Sequence, residues 1–141
     1  MAVRPKVFEF SGGIDESGRL VAENGAAPIA TGPGWTPEHL VLAAVARCSL
    51  GSLRHYAHRA GIAVEGSGRA RGTVTARPED GRYALVEVTV DLDVRLDPPP
   101  EEEAVRKLLA RAESGCFVGS SLRATPVYRW RVNGREMTAA A

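Results

Sequence analysis

The stretch from Trp35 to Gly61, WTPEHLVLAAVARCSLGSLRHYAHRAG, limits the architecture more than any other part of the chain. It carries its own start and stop signals. Thr36 can cap a helix, Pro37 suits the first helical position, and Glu38 falls in the first turn, where the helix dipole favours a carboxylate. Gly61 suits the position just past the end. From Leu40 to Leu50 the only polar interruptions are Arg47, Cys48 and Ser49. A helix apolar nearly all round belongs in a core or an interface. It is too short an apolar run to span a bilayer, and it is charged at both ends. The rest of the chain has to supply what covers it.

The 141 residues are enough for one domain with a real core, and we expect a single domain over 1–141. A hydrophobic share of 44%, a charged share of 25% and a net charge of +1 describe a globular chain with no long-range pull toward nucleic acid or acidic membranes. The opening MAVRPKVFEF lacks an apolar run of signal-peptide length, so the expected setting is the cytoplasm, with reduced thiols. Two cysteines do not make a disulfide framework.

Before the helix, KVFEF at 6–10 reads as a strand, Ser11-Gly12-Gly13 and Asp15–Gly18 as turns, and Arg19–Ala22 as the returning strand of a hairpin. Residues 23–34 read as a loop with one short extended piece. After Gly61 the period changes. Arg69–Arg77 suits a strand of small residues, and Pro78–Gly81 is turn material. Val86, Val88, Val90, Leu92, Val94 and Leu96 then alternate with polar residues, the mark of a strand with one buried and one wet face. Prolines end it. Glu101–Glu103 open a second helix with Val105, Leu108, Leu109 and Ala112 as its apolar stripe. Gly119–Leu122 suits a turn or short helix, Thr125–Val132 a final strand, and MTAAA a frayed tail. This order favours α+β, with an antiparallel sheet wrapped around two central helices.

Few side chains suggest chemistry. Phosphate-binding glycine loops, nucleophile elbows and zinc-protease motifs are absent from the sequence. His55 and His58 share a helix face but lack a third ligand, so an exposed polar final turn is the simpler reading. Cys48 cannot pair with a histidine on its own helix: His55 is about 10 Å along the axis, and His39 and His58 are farther. From composition alone each cysteine is more readily a small buried hydrophobe than a reactive thiol.

Two motifs change that balance. Thr36-Pro37-Glu38 followed by a small-residue helix to Cys48, and Glu113-Ser114-Gly115-Cys116-Phe117-Val118-Gly119, resemble the central helix and resolving-cysteine segment of the OsmC/Ohr family of osmotically inducible and organic-hydroperoxide-resistance proteins. Tyr128–Gly134 resembles that family's last strand, and the chain sits nearest its broader OsmC-like branch. The resemblance implies an intertwined two-fold dimer and a cysteine-based peroxidase without metal or other cofactor. Cys48 would attack an organic or fatty-acid hydroperoxide. Cys116 would resolve the resulting sulfenic acid as a disulfide, for reduction by an external thiol such as a lipoyl protein, thioredoxin or a small thiol. Glu38 matches the glutamate that holds an activating arginine against the thiolate. The arginine's own place, after Gly12-Gly13, is taken by Ile14, which leaves Arg19 as the nearest candidate and Arg47 and Arg54 as weaker ones.

One distance bears on this directly. Ten residues of continuous helix set Glu38 about 15 Å from Cys48. Both serve one site only if the helix breaks or if Glu38 comes from a second subunit, and we expect the latter. The alternatives to a peroxidase are a non-catalytic dimeric module binding a small apolar ligand, and a slow redox-sensing thiol protein.

Overall fold

The structure is a computed structural model and describes residues 3–141; Met1 and Ala2, which open the MAVRPKVFEF stretch, lie outside the described residues. The chain divides into two units, one ending at Pro37 and one running from Glu38 to Ala141.

The first unit is a small hairpin. Strand β1 (Gly12–Ile14) pairs antiparallel with β2 (Leu20–Ala22). The turn between them is held by Asp15, whose carboxylate accepts from the backbone N–H of Ser17 and Arg19 at 2.9 Å each. Ile29 bridges back to Leu20, the short extended piece expected in the loop. Two expectations fail here. Residues 6–10 are not a strand, and Gly12-Gly13 is strand rather than turn. A strand exists by pairing its backbone groups, and residues 6–10 meet no partner strand among the described residues. Val7 and Phe10 accordingly stay about four-fifths exposed, at 80% and 81%.

The second unit is built on α1 (Pro37–Arg59), one continuous helix in the position predicted. Val45, Ser49, Ser52, Leu53 and Ala57 form its buried face. Strand β3 (Ala63–Ala76) and β4 (Tyr83–Asp97) follow as a long antiparallel pair. The alternation in β4 is real: Val88, Val90, Leu92, Val94 and Leu96 are all at most 2% exposed. Helix α2 (Glu102–Ser114) buries the expected stripe of Val105, Leu108, Leu109 and Ala112. The five-residue α3 (Phe117–Ser121) leads to β5 (Val127–Val132) and β6 (Arg135–Met137).

The sheet runs β3-β4-β5-β6 and is mixed, where a purely antiparallel one was expected. β5 lies parallel to β4, because the crossover through α2 and α3 returns the chain to the end of the sheet where β4 began. The tail also departs from expectation. Asn133 and Gly134, with φ of 48° and 81°, make a tight reversal that adds β6. Ala140 N–H then donates to the Arg106 carbonyl at 3.0 Å, so the tail is docked rather than frayed.

β3 begins earlier than its sequence suggested, since Ala63–Gly68 carries little strand propensity. The glycines there serve close packing. A Cβ on Gly68 would stand 2.8 Å from Leu92 Cδ2 and 3.7 Å from Ala46 of α1; one on Gly72 would stand 2.7 Å from Leu85 Cδ2 and 3.1 Å from Leu42 Cδ2. At Gly66 the obstacle is backbone, the Asp93 carbonyl oxygen, and it is nearer still. Gly66→Ala should therefore cost about 1–3 kcal/mol, the usual penalty of overpacking. Gly68→Ala should cost less, because a leucine terminus can turn aside. Urea unfolding of both variants checks the order, and equal midpoints would contradict it.

Candidate active site

The residues that matter meet where α1, the start of α3 and β5 converge. Cys48 lies midway along α1 and is half-buried; Cys116 immediately precedes α3 and is completely buried. The crossover that makes β5 parallel also brings α3 back over the middle of α1. The two thiols are thereby neighbours, each free.

Opposing influences act on Cys48. Burial is the largest and pushes its thiol up. The backbone N–H of Val118 pulls it down, the adjacent Cys116 pushes it up again, and the N–H of Phe117 pulls down more weakly. The net direction is upward, set among the described residues by burial, the Val118 and Phe117 N–H groups and Cys116. Phe117, whose backbone N–H acts on the thiol, has an exposed side chain.

Cys116 has a fuller set of partners. Gly119 N–H donates to its sulfur at 3.4 Å, and its sulfur lies 3.7 Å from Ser49 Oγ. The Ser49 hydroxyl also donates to the Val45 carbonyl at 2.7 Å. Tyr128 brings its hydroxyl to the same place from β5. Burial and the neighbouring Cys116 keep that phenol protonated far above its ordinary range. Its ring lies nearly parallel to Trp130, with centroids 6.4 Å apart. Burial also pushes the Glu113 carboxyl up, against a pull from Trp130; Glu113 Oε2 and the Trp130 indole N–H nevertheless make no hydrogen bond of ordinary geometry.

The other predicted site residues lie on α1 and in the N-terminal hairpin. Glu38 occupies the first turn of α1, and the helix runs unbroken from there through Cys48, so the separation of about 15 Å stands and a break between them is excluded. Arg19 sits in the N-terminal hairpin, where its Nε donates to Asp15 Oδ2 at 2.9 Å. Arg47 and Arg54 are exposed on α1. Ser49, Gly119 and Tyr128 were missed as site residues. Tyr128 was read only as part of the final strand, and a neighbour brought in by the crossover leaves no local signal in the sequence.

A groove of about 1080 Å³ lined by residues of the sheet and of α2, Tyr128 among them, does not include either cysteine. Arg69, Asp91 and Arg129 are matched across β3, β4 and β5, so positive and negative groups alternate there and favour no ligand charge. Among the described residues no helix is long and apolar enough to cross a membrane.

The OsmC-like protein family matches residues 30–131, which include both cysteines and every element from α1 through most of β5. The chain belongs to the OsmC-like family. Solved structures share its fold at low identity. An OsmC-like protein of unknown function from Vibrio cholerae is 16% identical, with a TM-score of 0.70 over 88% of this chain and 99% of that one. An OsmC-like protein from Mycoplasma pneumoniae is 15% identical, with a TM-score of 0.65 over 92% and 99%. The organic hydroperoxide resistance protein OhrB of Bacillus subtilis is 19% identical, with a TM-score of 0.52 over 89% and 96%. No curated protein matches the sequence.

The upward push on Cys48 sets its pH behaviour. The thiolate is the reactive form, so alkylation of Cys48 by iodoacetamide should be slow at pH 7 and still be rising above pH ~8.5, the ordinary thiol value. Mass spectrometry of the modified peptide across a pH series from neutral to alkaline checks this. A plateau already reached at neutral pH would contradict it.

Proposed function

We propose that this OsmC-like protein is a thiol-dependent peroxidase for organic hydroperoxides. The observation that carries the reading is the asymmetry of the paired thiols: Cys48 is partly accessible and Cys116 beside it is fully buried. An accessible thiol with a buried neighbour is the arrangement that oxidation to a sulfenic acid and then a disulfide requires. Cys48 thiolate attacks the outer peroxide oxygen, releasing an alkoxide that takes a proton to become the alcohol. Cys48–SOH and the Cys116 thiol then give the disulfide and water. An external dithiol supplies the two electrons that restore both thiols. The exposed side chain of Phe117, whose backbone N–H acts on Cys48, supports an apolar peroxide over hydrogen peroxide. The name of the Bacillus relative supports the same substrate class.

The proposed assembly is a two-fold dimer with Glu38 serving the partner's site. Two observations support it besides the length of unbroken helix. Val41, Ala44, Cys48 and Gly51 follow one another at helical spacing along α1, flanking its buried stripe, and none of them is buried. A Cβ added to Gly51 would meet nothing within 4 Å, so the single chain gives no reason for a mid-helix glycine, whose helix penalty relative to alanine is about 1 kcal/mol. A second helix lying close against this face supplies that reason. Sedimentation at micromolar concentration should give a dimer that Gly51→Glu dissociates; a monomeric parent would sink this assembly.

Turnover is tested by stoichiometry. With cumene hydroperoxide the reduced protein should lose two thiols and gain a Cys48–Cys116 disulfide, and Cys48→Ser should abolish turnover. No thiol loss with cumene hydroperoxide or with hydrogen peroxide ends the peroxidase reading. The raised thiol of Cys48 and the Asp15-bound Arg19 favour a second reading, a slow redox-sensing thiol. Arg19→Ala separates the two. A tenfold or larger fall in the peroxide rate assigns Arg19 as the activating cation, whereas an unchanged slow rate favours the sensor.

A further inference from the structure

We infer that Tyr128 is a positioning residue for the second half-reaction, in which Cys116 attacks the oxidised Cys48; this rests on the cysteine pair proposed above and assigns it a further member.

The argument is one of hydrogen-bond inventory around a buried sulfur. Cys116 is at 0% exposure, so water does not solvate a thiolate formed there. Its stabilisation must come from donors already in place. Gly119 N–H is one, at 3.4 Å. Ser49 Oγ is farther, at 3.7 Å, and its hydroxyl is engaged by the Val45 carbonyl at 2.7 Å, which makes it the weaker donor. What remains is the Tyr128 hydroxyl. A Cβ on Gly119 would stand 2.5 Å from Tyr128 Oη and 3.2 Å from Cys116 Sγ, so both atoms flank the same α-carbon. In the resting state this hydroxyl already lies in hydrogen-bonding reach of the Cys116 thiol and of Ser49. Loss of the Cys116 proton leaves the sulfur a stronger acceptor, and Tyr128 donates to it.

The surroundings hold Tyr128 for this task. Its ring is stacked on Trp130, two residues along the same face of β5. The titratable groups facing the pair are Cys48 of α1 and Glu113 of α2. Gly119 acquires a reason as well: any side chain there displaces the hydroxyl.

The test isolates the Cys116 step from peroxide chemistry. Reaction with Ellman's reagent, a disulfide of thionitrobenzoate, converts Cys48 to a mixed disulfide and releases one thionitrobenzoate. Attack by the Cys116 thiolate on the Cys48 sulfur then forms the protein disulfide and expels a second. In Tyr128→Phe the first release should keep its rate. The second should slow about tenfold, with its pH midpoint moved upward, a change that general loosening does not produce. Gly119→Ala, which retains the hydroxyl but forces it aside, should slow the second release in the same way, with circular dichroism confirming the fold of both variants. An unchanged second release and midpoint in Tyr128→Phe overturns the inference, as does a parent that releases only one thionitrobenzoate. Failure of cumene hydroperoxide to oxidise the parent sinks the peroxidase reading alone, since the thionitrobenzoate steps require no peroxide.

Discussion

The close approach of α1 to the sheet is the constraint on which the rest of the Glu38–Ala141 unit depends. A helix normally rides on a sheet with side chains of both elements between them. Here β3 offers Gly66, Gly68, Ala70 and Gly72 at alternate positions, and the leucines of β4 and α1 fill the space that side chains there would have taken. The exchange is favourable because β3 gives up propensity it does not need: fourteen residues of backbone pairing with β4 hold it extended. Leu53 and Val45 on the helix and Val90, Val94 and Leu96 on the strand are left almost without solvent contact. At about 25 cal/mol per Å² of apolar area, such a layer dominates the favourable side of folding.

The site follows from that layer and from one topological choice. With α1 fixed by its buried face, Cys48 and Ser49 adjoin on the helix but point differently: Ser49 is fully buried and Cys48 only half. The crossover through α2 and α3 then brings Cys116 against both. β5, entering parallel to β4, adds Tyr128 from the sheet side. Three elements far apart in sequence each contribute one polar group to an otherwise apolar interior. Such groups are tolerated only when they find partners: Ser49 donates to the Val45 carbonyl, and the Cys116 sulfur meets Ser49 Oγ and the Gly119 N–H.

Much of this was legible in the chain. The helix from Pro37 to Arg59, the alternating β4 and the stripe of α2 were legible because each is a periodic pattern enforced by burial. The Asn133-Gly134 reversal was equally available as a turn signal. β6 was missed because three residues give no period to read. The parallel entry of β5 was missed for a different reason. It depends on where a crossover lands, and neither strand encodes that locally. The strand expected at residues 6–10 shows the converse: apolar alternation records a preference for burial, but pairing decides whether a strand forms. At the site, both cysteines could be picked out by motif, while Tyr128 and Ser49 could not. Their role arises from proximity across elements, and the same residues elsewhere in a core would read identically.

The electrostatics of Cys48 give the site its particular character. In the Glu38–Ala141 unit the thiol meets backbone N–H groups and a second thiol, with burial opposing ionisation. Backbone donors differ from a guanidinium in what they stabilise. They are fixed, they carry only partial charge, and they favour a thiolate through geometry rather than long-range field. In the proposed peroxidase such a site, with its thiol pushed up, would be correspondingly selective, reacting when an apolar substrate displaces water and places its oxygen against the sulfur. Ile14 stands in the place where the family's arginine would stand, and Arg19 is bound to Asp15 within the N-terminal hairpin. Under the proposed dimer, the speed of that chemistry would then turn on a partner's Glu38 and an arginine it recruits.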